Sequence, residues 1–380
     1  MEAKAETWCN TDSHGDFECF EDFNAWLDSE EGQQLRKDFS IENLSEPSKA
    51  LFAGDKPSYD MAFKQYRTER RHEALNERYI TEQYGDDHWF ERNISRFDQL
   101  VEKIEAGEVV PFVGAGLSVA GGFPSWKHHL QQQAKTAGLN EGDVEELLNQ
   151  GSYEEVLERI ENQLGVDVVT QEILDVFSKT GKLTETTFIL SELFRDTIIT
   201  TNYDKLIEKA FDTGVDRPYQ IISGINAMEP PDPECVTIIK LHGDIKTPAR
   251  CILSKNQYNQ FYGNGEIDNT LPIPKLLEYH YRNSNLLFLG CSLNNDRTVR
   301  VFKAIREKYG NDWDGPRHYS IEQAPEDIEE LTQRNAYLAG IGITAIWFET
   351  DQFDYVDTIL RMVRNEIRYR EAATRSYDHI

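Results

Sequence analysis

An α/β fold, with a Rossmann-type parallel sheet, an inserted helical lobe and a helical amino-terminal extension, is predicted by three features of this sequence. Short apolar runs rich in β-branched residues recur at Val109–Val113, Thr197–Thr201, Val236–Leu241, Leu286–Leu289, His318–Ile321 and Ile343–Phe348. Helical or loop segments alternate with them, the pattern of a parallel sheet covered on both faces. The first run stops abruptly in Gly114-Ala115-Gly116-Leu117-Ser118 and gives way to an amphipathic pattern, which reads as a buried strand, a tight turn and a helix start. Residues 126 to 195, between the first two runs, are too many for a simple crossover and carry apolar residues at spacings of three and four, so a helical lobe is expected there.

In chain order, residues 1–94 form the extension. Its first fifty residues hold thirteen Asp and Glu against four Lys and Arg, interleaved with Trp8, Phe17, Phe20, Phe23, Trp26 and Leu27. Such a segment is too polar to build a core alone but can pack its rings on a neighbour, and a solvated acidic arm is the alternative. From Ser58 to Tyr84, Arg67, Arg70, Arg71 and Arg78 alternate with Glu69, Glu73 and Glu77, as on a salt-bridged helix face. Ser95 reads as the N-cap of a helix carrying Phe97, Leu100, Val101 and Ile104, closed by Gly107, and it opens a main domain over 95–370. Within the lobe, about 126–195, helices are expected around Val144–Leu148, Tyr153–Ile160 and Val169–Phe177. A last helix with Phe353, Val356, Ile359, Leu360, Val363 and Ile367 is expected to dock on the sheet, leaving 371–380 as a tail.

A net charge of -27 argues against a general nucleic-acid or anionic-membrane surface, because such binding depends on clustered Lys and Arg. No run reaches the length of about eighteen apolar residues that a membrane helix needs, and Met1-Glu2-Ala3-Lys4-Ala5-Glu6 lacks the features of a signal peptide, so a cytoplasmic location is expected. The five cysteines, Cys9, Cys19, Cys235, Cys251 and Cys291, make no C-x-x-C pair and have no histidine at finger-like spacing. Neither a structural zinc nor any other metal is expected.

In open parallel sheets ligands bind beyond the carboxyl ends of the strands. Four runs end there in polar or glycine residues: Gly114-Ala115-Gly116-Leu117-Ser118, Thr201-Asn202-Tyr203-Asp204, His242-Gly243-Asp244, and Gly290-Cys291-Ser292-Leu293-Asn294-Asn295-Asp296. Glycines allow a backbone to approach a diphosphate, and the free N–H groups of a helix start attract it. The dinucleotide fingerprint is incomplete, because Val119 stands where a third glycine is required. A lone Asn after a strand is more often a turn or helix cap, and a lone His-Gly a loop; it is their joint position that points to a site.

Gly114-Ala115-Gly116-x-Ser118 with Gly122-x-Pro124, Asn202-x-Asp204, His242-Gly243 and Gly290-x-Ser292-Leu293 follow one another as in the sirtuin NAD-binding core, which this chain resembles over roughly residues 105 to 300. Deacylating sirtuins carry a four-cysteine zinc ribbon that this sequence lacks. Ser125-Trp126-Lys127, Thr201-Asn202-Tyr203-Asp204, His242-Gly243-Asp244-Ile245 and Ile252-Leu253-Ser254-Lys255-x-x-Tyr258 look instead like the sirtuin-like NAD-hydrolysing effectors of bacterial anti-phage defence. Length and the lack of a fused sensor domain make it look like the subunit that pairs with a HerA-type ATPase. The resemblance implies an NAD glycohydrolase, with NAD as substrate, self-assembly into a homo-oligomer, and Asn202 and His242 as the catalytic pair. It also implies that Gly114, Ala115, Gly116 and Ser118 hold the diphosphate, Asp204 the nicotinamide amide, and Gly290 and Ser292 the adenosine side. A module that binds NAD or ADP-ribose without turnover, an NAD-dependent protein deacylase and an ADP-ribosyl transferase are the alternatives.

Overall fold

The computed structural model describes residues 11–85, 87–214, 217–226, 231–310 and 313–378. They divide into two compact units, one made of residues 1–97 with 357–380 and the other of residues 98–356.

The larger unit is built on seven strands, β1 (Val109–Val113), β2 (Thr197–Thr200), β3 (Tyr219–Ser223), β4 (Val236–Lys240), β5 (Asn285–Leu289), β6 (His318–Gln323) and β7 (Ile343–Phe348), in the order β3-β4-β2-β1-β5-β6-β7. Every neighbouring pair is parallel. The chain winds outward from β1 on one side, then crosses back to β5 on the other, so the reversal of strand order falls between β1 and β5. In doubly wound sheets that crevice, at the carboxyl ends of the strands, is where ligands bind. β4 and β5 are buried at every position, which accounts for their continuous apolar runs. β3 is the strand the apolar pattern does not announce. It lies at the sheet edge with only Ile222 buried, and an edge strand does not need two apolar faces.

The lobe between β1 and β2 holds helices Trp126–Thr136, Glu141–Asn149, Tyr153–Leu164, Val166–Phe177 and Glu185–Leu193. Side chains satisfy the free amides at several of their starts: Ser125 Oγ accepts from His128 N, Asn140 Oδ1 from Asp143 N, and Thr184 with Thr187 forms a capping box. These caps separate short helices that would otherwise read as one long amphipathic stretch.

The smaller unit corrects three expectations. Ser95 is no cap, because a helix runs unbroken from Asp87 to Glu105, and Gly107 at φ 71° does close it. As expected, the acidic extension buries its rings against neighbours and not alone: Phe20, Phe23 and Leu27 cluster with Leu51, Phe52, Tyr59, Ala62 and Tyr66 and with Tyr369 and Ala372 of the last helix. The last helix, Asp354–Asp378, supplies two of those residues, stacks Tyr369 on Phe20 at 5.7 Å, and pairs its buried Glu366 with Arg67. Its segment from Asp357 onward therefore belongs to this unit, and 371–378 is helix rather than tail. The physical reason is that rings on short helices bury enough area once a long helix lies across them. Trp8 and Cys9 fall outside the described residues.

Candidate active site

At the switch point the turns after β1 and β5 meet backbone to backbone. Gly114 N donates to Leu289 O at 2.8 Å and Gly116 N to Gly290 O at 2.9 Å. A Cβ on Gly114 or Gly116 would lie 2.6 or 2.8 Å from Gly290 O, and one on Gly290, at φ 65°, would lie 2.4 Å from Leu117 N. These three glycines are thus explained first by the fit of one turn on the other. Two of the amides expected to face a diphosphate are taken up by it. Ala115 is half-buried and Gly116 is exposed at the rim, while Ser292 is exposed and its carbonyl accepts from Arg334 Nη2 at 2.9 Å.

From β1 to β2 runs a chain of hydrogen bonds. Asn202 Nδ2 donates to Gly114 O (2.9 Å) and to Ser118 Oγ (3.0 Å), and Ser118 Oγ donates to Asp204 Oδ2 (2.7 Å). Asp204 Oδ1 accepts from Leu206 N at 3.0 Å, so Asp204, and not Asn202, tends the start of helix Leu206–Gly214. The structure thus joins four predicted residues, Gly114, Ser118, Asn202 and Asp204, in one network. Ser118 and Asp204 are buried and Asn202 is half-buried, with its Oδ1 acceptor still to be used.

His242 follows β4 and is 9% exposed. Its ring lies 6.3 Å from that of Tyr203, within the Asn202–Asp204 turn. Nε2 is 2.9 Å from Tyr262 OH and Nδ1 is 3.4 Å from Tyr258 OH. Burial pushes the imidazole down to about 4, so the ring is neutral at pH 7 and carries one basic lone pair. Tyr258 was part of a sequence motif. Tyr262 carried no signal of its own, beyond its i+4 spacing from Tyr258 on helix Lys255–Tyr262.

Lys240 is the functional candidate that the sequence reading missed. It is fully buried on β4, two residues before His242, and Nζ donates to Tyr203 O (3.1 Å), Asp204 O (2.6 Å) and Glu208 Oε1 (2.8 Å), with Asp244 Oδ1 at 3.8 Å. A lysine inside an apolar parallel strand was the available signal. Every hydrogen of its ammonium group has an acceptor, the condition under which a buried charge is tolerated, and it ties the turn bearing Asn202 to the strand bearing His242. Cys291 is no nucleophile: its thiol faces Phe112 O at 3.4 Å and burial pushes it well above the usual thiol range.

The family described as a SIR2-like domain matches residues 196–346, which include β2 to β6 and both Asn202 and His242 but not the Gly114 turn. The chain is 31% identical over 209 residues to NAD(+) hydrolase ThsA of Cytobacillus dafuensis, covering 55% of this chain and 40% of that protein. It is 28% identical over 270 residues to NAD(+) hydrolase ThsA of Bacillus cereus (strain MSX-D12), covering 68% and 54%. Defense-associated sirtuin 2 of Bacillus subtilis is 22% identical over 273 residues, covering 68% of this chain and 25% of that protein. The chain spans about half the length of the ThsA relatives it matches.

Proposed function

We propose that this chain hydrolyses NAD to nicotinamide and ADP-ribose at the carboxyl ends of β1, β2 and β4, beside the β1/β5 switch point. The observation that carries the reading is the gathering of Asn202, Ser118 and Asp204 into one hydrogen-bonded network beside a buried, neutral His242. Relatives named NAD(+) hydrolase support it. Nicotinamide in NAD is already cationic and leaves as a neutral base, so the reaction needs orientation and a base more than a strong acid. Asn202, its amide nitrogen fixed by Gly114 O and Ser118 Oγ, offers its oxygen to orient water or a ribose hydroxyl. His242 takes the proton of that water or hydroxyl on its lone pair. Lys240 holds the Asn202–Asp204 turn in register with His242. The Gly114–Ser118 turn, with Gly290 and Ser292, takes the diphosphate and adenosine side, and Asp204 the nicotinamide amide.

In the cell this activity would deplete NAD as an abortive defence against phage, in the cytoplasm, and the name of the Bacillus subtilis relative supports the defence context. Self-assembly and a HerA-type ATPase partner rest on the sequence resemblance alone; the mass of the purified chain in solution and co-purification with such an ATPase test them. The activity is tested by incubating the chain with NAD and resolving the products. Equal amounts of nicotinamide and ADP-ribose are expected, without an acyl-peptide and without label on protein. NAD that is bound but left intact would make the chain a binding module. Turnover that depends on an acyl-peptide would make it a deacylase.

A further inference from the structure

Both ring nitrogens of His242 face tyrosine hydroxyls, so in either neutral tautomer the lone pair a base must use is covered. Both tyrosines sit on one short helix, Lys255–Tyr262, as its fourth and last residues. Tyr262 is fully buried, so its hydroxyl is not a relay to a substrate.

That helix is fastened at both ends to one helix of the lobe, Tyr153–Leu164. At its amino end Lys255 pairs with Glu158. At its carboxyl end Arg297 Nη1 donates to Gly263 O at 2.5 Å, and Nη2 donates to Asn259 Oδ1 at 2.6 Å. The same guanidinium grips Glu154, with Nε on Oε1 and Nη2 on Oε2, both at 2.7 Å. Arg297 is only 5% exposed, which makes this a planar, bidentate and largely dry clasp. Two carboxylates one turn apart on the lobe thus hold the two ends of the helix that covers the base.

We propose that helix Lys255–Tyr262 is a catch on His242, held closed by the lobe through Glu158–Lys255 and Glu154–Arg297–Gly263, and that its withdrawal limits turnover. Only the turnover arm of the test rests on the NAD reading. Diethyl pyrocarbonate acylates a neutral imidazole through its free lone pair, so the rate of modification at each histidine, read by peptide mass, reports the catch directly. In the wild type His242 should react at least ten times more slowly than the exposed His128. In Glu158→Gln and in Glu154→Gln, His242 should react about ten times faster than in the wild type, while the buried His280 and His318 stay slow, which separates local release from unfolding. The double variant Tyr258→Phe/Tyr262→Phe keeps both rings, removes only the hydroxyls, and should raise the His242 rate as well. The catch is overturned if wild-type His242 reacts as fast as His128, or if its rate is unchanged in all three variants. NAD turnover should rise about tenfold in Glu158→Gln. A His242 that is released while no variant consumes NAD would sink the NAD reading and leave the catch standing. Turnover by a wild type whose His242 rate no variant alters would do the reverse.

Discussion

The amino-terminal unit and the sheet unit are held by different kinds of contact. In the first, rings pack on rings: Phe23 on Tyr59 at 5.0 Å, Phe52 on Tyr59 at 4.9 Å, Phe63 on Tyr369 at 4.7 Å. Such packing loses stability in proportion to the area removed. At the carboxyl edge of the sheet, by contrast, Gly114, Gly116 and Gly290 meet at distances no Cβ permits, and Lys240, Ser118, Asp204 and His242 each depend on particular partners. There a single atom added or removed leaves a clash or an unpaired buried polar group. The proposed chemistry thus sits where tolerance is lowest, and the aromatic bulk where tolerance is high.

The largest expected effect is acid lability confined to the sheet unit. Burial holds His129, His242 and His280 at about 4 and His318 at about 3, and all four belong to this unit. In the other unit His72 and His88 are 37% and 71% exposed. A folded value below the unfolded one, about 6.5, means that the unfolded chain binds more protons. The stabilisation is therefore complete above pH 6.5 and is lost as the pH falls through about 4, by roughly 3 kcal/mol for each fully buried ring. Hydrogen-exchange protection, referred to the intrinsic rate at each pH, should fall in β5 and β6 before it does in helix Lys56–Ala74 as the pH is lowered from 7 to 4.5. The reverse order would break the comparison.

Next, Lys240→Met leaves Glu208 buried without its cation and should cost about 4 kcal/mol in denaturant titration, with faster exchange at residues 201–206. Phe23→Ala should cost about 3 kcal/mol in the aromatic unit and leave NAD turnover per folded molecule unchanged, whereas loss of turnover would erase the division of labour. The smallest pair contrasts two glycines. Gly290→Ala should cut turnover about a hundredfold, while Gly54→Ala, where a Cβ meets nothing within 4 Å, should stabilise its helix by less than about 1 kcal/mol.

What was legible in the sequence follows the same line. Apolar runs disclosed β1, β2, β4, β5, β6 and β7, because buried parallel strands need two apolar faces; β3 escaped because an edge strand with one buried residue does not. The polar strand ends pointed to the candidate residues Asn202, Asp204 and His242 and to the two glycine turns, because topology alone brings such ends together. Lys240, Tyr262 and Arg297 were hidden, since their roles depend on partners 32 to 143 residues away, or 20 in the case of Tyr262. Periodicity likewise revealed the last helix but not its companion, because Tyr369 meets Phe20 from the opposite end of the chain.

The most direct test of the account is nicotinamide release from NAD by purified Asn202→Ala and His242→Ala chains, compared with wild type at equal folded concentration. The account expects both variants to melt below wild type, because each leaves a buried polar partner unpaired, yet to remain folded at the assay temperature and release nicotinamide on the order of a thousandfold more slowly. Turnover within tenfold of wild type in either well-folded variant would contradict it and move the chemistry away from the carboxyl edge of β2 and β4.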